Sequence, residues 1–129
     1  MSRWPVTVAL LVVATFVAAA GEHTKDAPDA IKKALAAKKA IFLDVREPAE
    51  WDKGHLKDAR LAPLSKLKDK DALESLTRTL PKDQIIYCHC AAGVRCLKAA
   101  AILKEQGYDV RPLKEGYKDL LKLGFPKAE

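Results

Sequence analysis

Three cysteines fall within nine residues of this chain, at 88, 90 and 96. The segment Cys88-His89-Cys90-Ala91-Ala92-Gly93-Val94-Arg95 joins an apolar, strand-like run to a helix-like one. A cysteine just ahead of a helix meets backbone N–H groups at the positive end of the helix dipole, which stabilise a thiolate. Gly93 lets the loop curl tightly, and Ala91 and Ala92 leave room above the sulfur for a small substrate. Cys90 is therefore the candidate nucleophile, with Ala91, Ala92, Gly93 and Val94 as its binding loop and Arg95 as the charged group beside it. The plain alternative is a small buried residue. The glycine, arginine and helix start that follow Cys90 argue against it.

The elements that must position this loop alternate along the chain. Asp26-Ala27-Pro28-Asp29 starts a helix with Ile31, Ala34 and Leu35 on one face, and lysines 38 and 39 suit its end. Ala40-Ile41-Phe42-Leu43 is a continuous apolar run that stops at Asp44, as a strand buried on both faces requires. Glu47-Pro48-Ala49-Glu50-Trp51 opens a short helix ended by Gly54, and Trp51 is expected in the core. A brief strand is expected over 59–62, a helix over 69–80 closed by Pro81, and a second buried strand over 84–88. Residues 95–106 make the strongest helix before Gly107, followed by a strand over 108–113 and a short helix over 117–123. This order predicts an α/β fold, a three-layer sandwich with a mainly parallel central sheet flanked by helices. Sites in such sheets lie beyond the carboxyl ends of the strands, where both Asp44-Val45-Arg46 and Cys90 fall.

The front of the chain reads as an export signal. Arg3 precedes an apolar run over 6–17 and then Ala18-Ala19-Ala20, which places cleavage near Ala20 and divides the chain into a signal, 1–20, and one domain, 21–129, with its core over 28–126. The uncharged stretch is barely long enough to span a membrane, so no stable membrane insertion is expected after cleavage. The destination is the periplasm or the extracellular space. Losing Arg3 takes the formal charge from +6 to +5. The lysines are interleaved with acids and aromatic residues are few, which excludes a nucleic-acid stripe and leaves a mild attraction for small anions. An odd number of clustered cysteines in an exported chain suits reactivity better than a structural disulfide framework.

These residues carry a resemblance. Leu43-Asp44-Val45-Arg46-Glu47-Pro48-Ala49-Glu50-Trp51, Gly54-His55-Leu56 and the loop from Cys90 to Arg95 resemble, in order and spacing, the segments of a single-domain rhodanese, the sulfurtransferase family. The resemblance covers about residues 28–126. It implies transfer of a sulfane sulfur from a donor such as thiosulfate through a persulfide on Cys90, without a metal or other cofactor. The four residues between Cys90 and Arg95 resemble the family's loop for a sulfur atom, whereas the related phosphatases and arsenate reductases have one more. The partners implied are a small anionic sulfur donor and a protein or small-thiol acceptor. Two positions depart from the pattern: Cys96 stands where many relatives have serine or threonine, and Asp58 where they usually have glycine.

Several roles stay open at this stage. Arg95 either binds the donor or locks the loop through a carboxylate, for which Asp44 and Glu47 are available. Asp44, Arg46, Glu47 and His55 are read as supports of the loop, His55 through a backbone carbonyl near the rim. Cys88 reads as core and His89 as a strand-end or loop residue. Cys96 is either a resolving thiol for Cys90 or a thiol replacing a hydroxyl in the first helical turn. The competing functions are a non-enzymatic persulfide carrier or binding module, a phosphatase or arsenate reductase, and a soft-metal site built from Cys88, His89, Cys90 and Cys96.

Overall fold

A computed structural model describes residues 2–5, 9 and 21–129. The export-signal reading over 1–20 therefore lies almost wholly outside the described residues. The two apolar runs form the central strands: β1, Ala40–Asp44, is buried along its whole length, and β3, Ile85–His89, along all but its first residue. With β2 (Ala59–Leu61) and β4 (Val110–Pro112) they make a fully parallel sheet of order β2-β1-β3-β4.

The helices are α1 (Pro28–Ala36), α2 (Pro48–Asp52), α3 (Leu64–Leu67), α4 (Lys70–Thr77), α5 (Arg95–Glu105) and α6 (Tyr117–Lys122). Side-chain alternation along each strand sorts the core into two layers. Ile41, Leu43, Ile86 and Cys88 pack with Leu64 and Leu67 of α3, Ala99, Ala100 and Leu103 of α5, and Leu73 and Leu76 of α4. Phe42 and Tyr87 face the other way, onto Ile31 of α1 and Leu120 of α6. The predicted three-layer α/β sandwich is the architecture found.

Local differences have local causes. The helix expected over 69–80 is α4, whose N-cap Asp69 accepts from the Ala72 N–H at 3.0 Å, and a separate turn, α3, precedes it behind Pro63. Trp51 is only half-buried instead of in the core. Its indole stacks on His55 with ring centroids 3.5 Å apart, and α2 carries no buried residue.

Strand order reverses between β1 and β3, which pair directly in the register Asp44 to His89. The crevice at such a reversal lies outside the carboxyl ends of both strands. Val45 and Cys90 are the next residues out.

Candidate active site

Strand β3 ends at His89, and the chain turns through Cys90-Ala91-Ala92-Gly93-Val94 into α5. Gly93 has φ +82°, and a Cβ built there would lie 2.8 Å from the Lys114 carbonyl oxygen, so both conformation and space demand glycine. The Gly93 N–H donates to Cys90 Sγ at 3.1 Å. The amides of Ala92 and Cys96 also favour the Cys90 thiolate, so part of the expected amide collar is in place.

Two features depart from expectation. Cys90 is only 1 % exposed, and its side chain belongs to the cluster that contains Cys88 and Cys96. The physical reason is strand parity: residue 90 continues the inward series of Ile86 and Cys88, so the sulfur turns toward α5 and not into open space beneath Ala91 and Ala92. The second departure concerns the proton. The Cys96 thiol beside Cys90, and then burial, push the Cys90 thiol well above the usual range, outweighing the amides. With all three cysteines reduced, Cys90 holds its proton at neutral pH.

Arg95 locks the loop, but through a carboxylate that sequence reasoning did not assign. Its Nη1 and Nη2 donate to Glu50 Oε1 and Oε2 at 2.6 and 2.8 Å, a bidentate pair. The Arg95 guanidinium holds the Glu50 carboxyl down at about 2. Glu50 Oε1 also accepts from the Glu47 N–H at 3.2 Å, so one carboxylate caps α2 and ties it to the first residue of α5. Its place three residues into a Glu-x-x-Glu helix start was the available signal.

The other named supports divide. Asp44 is fully buried and accepts from Arg46 Nε at 3.0 Å and Nη2 at 2.7 Å, while Arg46 Nη2 also donates to the Gly54 carbonyl at 2.8 Å. The Arg46 guanidinium lies 4.3 Å from the Tyr117 ring centroid. The Glu47 carboxylate accepts from Ser65 Oγ at 2.8 Å and joins α2 to α3, while its N–H holds Glu50 Oε1, the oxygen that also takes Arg95. His55 makes the expected carbonyl contact, Nδ1 to the Trp51 oxygen at 3.0 Å, but its stacking partner is Trp51 and no loop atom.

Three contacts on the loop were not foreseen. A Cβ at Gly116 would sit 1.8 Å from the Ala91 carbonyl oxygen, so only glycine lets the backbone pass there. The next amide, Tyr117 N–H, donates to the Cys90 carbonyl at 3.0 Å. His23 Nε2 donates to the Gly93 carbonyl at 2.6 Å from the segment that precedes α1. His89 is fully buried, its ring edge on Phe42 at 5.1 Å, and burial holds it down at about 4 despite Asp44 Oδ2 at 3.9 Å. Its Nε2 has no partner because Asp44 is already saturated by Arg46.

Beside the loop opens a pocket of about 420 Å³ lined by Arg46, Glu50, Lys53, Gly54, Ala91, Tyr117 and Lys118. Three cationic side chains around one acid suit an anionic ligand. Among the described residues, no three His, Cys, Asp or Glu side chains are arranged to hold a metal ion.

A family model described as Rhodanese-like domain matches residues 27–123. The probable adenylyltransferase/sulfurtransferase MoeZ of Mycobacterium tuberculosis is 33 % identical over 98 residues, 75 % of this chain and 24 % of that protein. A tRNA uridine(34) hydroxylase of Onion yellows phytoplasma is 34 % identical over 83 residues, 64 % of this chain and 27 % of that protein. The chain thus spans about a quarter of the length of these curated relatives. Among solved structures, the human single-domain sulfurtransferase superposes with a TM-score of 0.63 at 25 % identity, covering 79 % of this chain and 97 % of that one.

Proposed function

This chain belongs to the rhodanese-like domain family, and on that premise we propose that it is a sulfurtransferase carrying a sulfane sulfur on Cys90 as a persulfide, from a small anionic donor such as thiosulfate to a thiophilic acceptor. The observation that carries the proposal is the Gly93 N–H donating to Cys90 Sγ at 3.1 Å where β3 runs into α5. A sulfur held there becomes an anion as a persulfide, and the loop amides are already turned toward it.

The Cys90 thiol gives up its proton as its sulfur attacks the outer sulfur of thiosulfate; the sulfur–sulfur bond of the donor breaks, and sulfite leaves with the bonding pair and takes up that proton as hydrogen sulfite. Arg95, held by Glu50, keeps the helix start and its amides in register. Arg46, Lys53 and Lys118 supply the field that draws an anion to the adjoining pocket. A small thiol or a protein thiolate then takes the outer sulfur, and no cofactor enters the scheme.

Single-turnover sulfite release from thiosulfate tests this reading. One sulfite per chain from the wild type and none from Cys90→Ser is expected. A Cys90→Ser protein that still makes thiocyanate from thiosulfate and cyanide overturns it. The 1 % exposure of Cys90 favours a second reading, a persulfide carrier or binding module. Such a protein takes up one sulfur and shows negligible turnover with cyanide.

Export completes the proposal and rests on the Arg3, apolar and small-residue pattern of the first twenty residues. N-terminal sequencing of the protein from the producing cells' envelope fraction is expected to begin at Gly21. A chain that keeps Met1 overturns export.

A further inference from the structure

The proposed transfer uses one cysteine of three, yet all three lie in one apolar cluster and all are fully buried or nearly so. Their sulfurs are tied together through a few atoms. Gly93 bridges two of them: its N–H donates to Cys90 Sγ at 3.1 Å and its carbonyl lies 3.4 Å from Cys96 Sγ. Cys90 and Cys96 thus meet across Gly93 within one buried cluster. Cys88 Sγ closes the group from the strand side, 3.4 Å from the Cys96 carbonyl oxygen.

The two neighbours of Cys90 are not equivalent as partners. Cys88 sits two residues earlier on the same strand face, where Cα atoms are roughly 6.6 Å apart, at the outer limit for a disulfide. Cys96 approaches from another element, in the first turn of α5, with its sulfur between the Gly93 carbonyl and the Leu113 carbonyl at 3.2 Å. A hydroxyl at 96 could donate to either of these carbonyls but could not exchange with sulfur. The thiol adds a reaction.

We infer that Cys96 is a built-in acceptor, so that a persulfide formed on Cys90 is resolved inside the protein, releasing sulfide and leaving a Cys90–Cys96 disulfide. The inference rests on the persulfide reading above. In the step, the Cys96 sulfur attacks Cys90 Sγ, the bond from Sγ to the outer sulfur breaks, and that sulfur leaves with the bonding pair as hydrosulfide. Starting from the persulfide anion and the Cys96 thiol, the products are the disulfide and one hydrosulfide ion. The Cys96 proton leaves with it. Cys96 is oxidised and the sulfane sulfur reduced, with no outside oxidant. A dithiol reductant then restores both thiols by exchange, so the full cycle converts thiosulfate and a dithiol into sulfite, sulfide and the oxidised dithiol. The Cys96 proton passes to the outgoing sulfur as the new bond forms, so no free thiolate need persist, and the neutral disulfide costs less to bury than an anion.

The test uses the full chain, reduced and then freed of reductant, with thiosulfate as the only added reagent. Sulfite, sulfide and intact mass are followed together, and the crosslink is mapped by peptide mass spectrometry. The wild type is expected to release one sulfide for each sulfite, end two hydrogens lighter than it began, and show a 90–96 crosslink. Cys96→Ser keeps a donor toward these carbonyls and is expected to release sulfite but stop as a persulfide, one sulfur heavier, with sulfide release lost. A wild type that stops as a stable persulfide, or a crosslink mapped to 88–90, overturns this inference and leaves sulfur transfer standing. A wild type that releases no sulfite overturns both.

Discussion

Arg95 and Glu50, 45 residues apart in sequence, face each other as a two-toothed pair at 2.6 and 2.8 Å, and this pair is the clamp between the nucleophile-bearing loop and α2. The side chains are 32 % and 35 % exposed, which places the pair nearer the surface than the buried class. Its worth to stability is accordingly small, and its worth to loop geometry larger.

Glu50→Gln is expected to lower stability by about 1 kcal/mol or less and to lower sulfite release about tenfold or more, as loss of loop positioning does. Denaturant titration and single-turnover kinetics on the same protein separate the two. Loss of several kcal/mol with unchanged kinetics would show a structural pair only.

Gly116→Ala drives a methyl group into the Ala91 carbonyl, which a Cβ would meet at 1.8 Å. Backbone must move on one side or the other. A destabilisation of about 1–3 kcal/mol is expected, with impaired sulfur uptake, because the displaced peptide adjoins Cys90. Unchanged thermal unfolding and uptake would refute the tight approach.

His89 makes stability depend on pH on the acid side. Burial holds its folded pKa at about 4, below the ordinary imidazole value of 6.5, so the unfolded chain gains the proton first. The stabilisation is present above about 6.5 and is lost as pH falls toward 4, with a slope of about 1.4 kcal/mol per pH unit. His89→Phe, which keeps a ring against Phe42, is expected to flatten the urea-midpoint profile across that window. A mutant with the wild-type slope would assign it to another group.

On the alkaline side the sign reverses. The Cys88 thiol beside it, together with burial, pushes Cys96 up to about 12, and Cys90 is raised as well, so these groups stabilise the fold below the unfolded thiol value of 9.0 and lose that contribution as pH rises past it. Cys90 reactivity follows the same proton. Its alkylation by iodoacetamide is expected to rise about tenfold per unit between about pH 7 and 9. A plateau reached below neutrality would mean a thiolate already formed, contrary to the raised Cys90 thiol.

Much of the fold was written in short-range pattern. The continuous apolar runs at 40–43 and 84–88 became β1 and β3, Gly93 sits where a positive φ is needed, and Gly107 ends the region of α5, because strand period and turn chemistry act over a few residues. Residue type also picked out Cys90, Arg95 and Cys96 and placed them at the rim of a parallel sheet. What the pattern did not hold was direction and partnership. Glu50 was read only as part of a helix start, Gly116 was not remarked, Glu47 bonds Ser65 and meets the Arg95 clamp only through Glu50, and Cys90 was expected beneath open space when it turns inward beside Cys96. The amino-acid order alone settled which groups are present and on which elements they ride. Only tertiary packing decided which of them meet and who keeps the proton, since hydrogen bonds and desolvation depend on distances across space that no local spacing records.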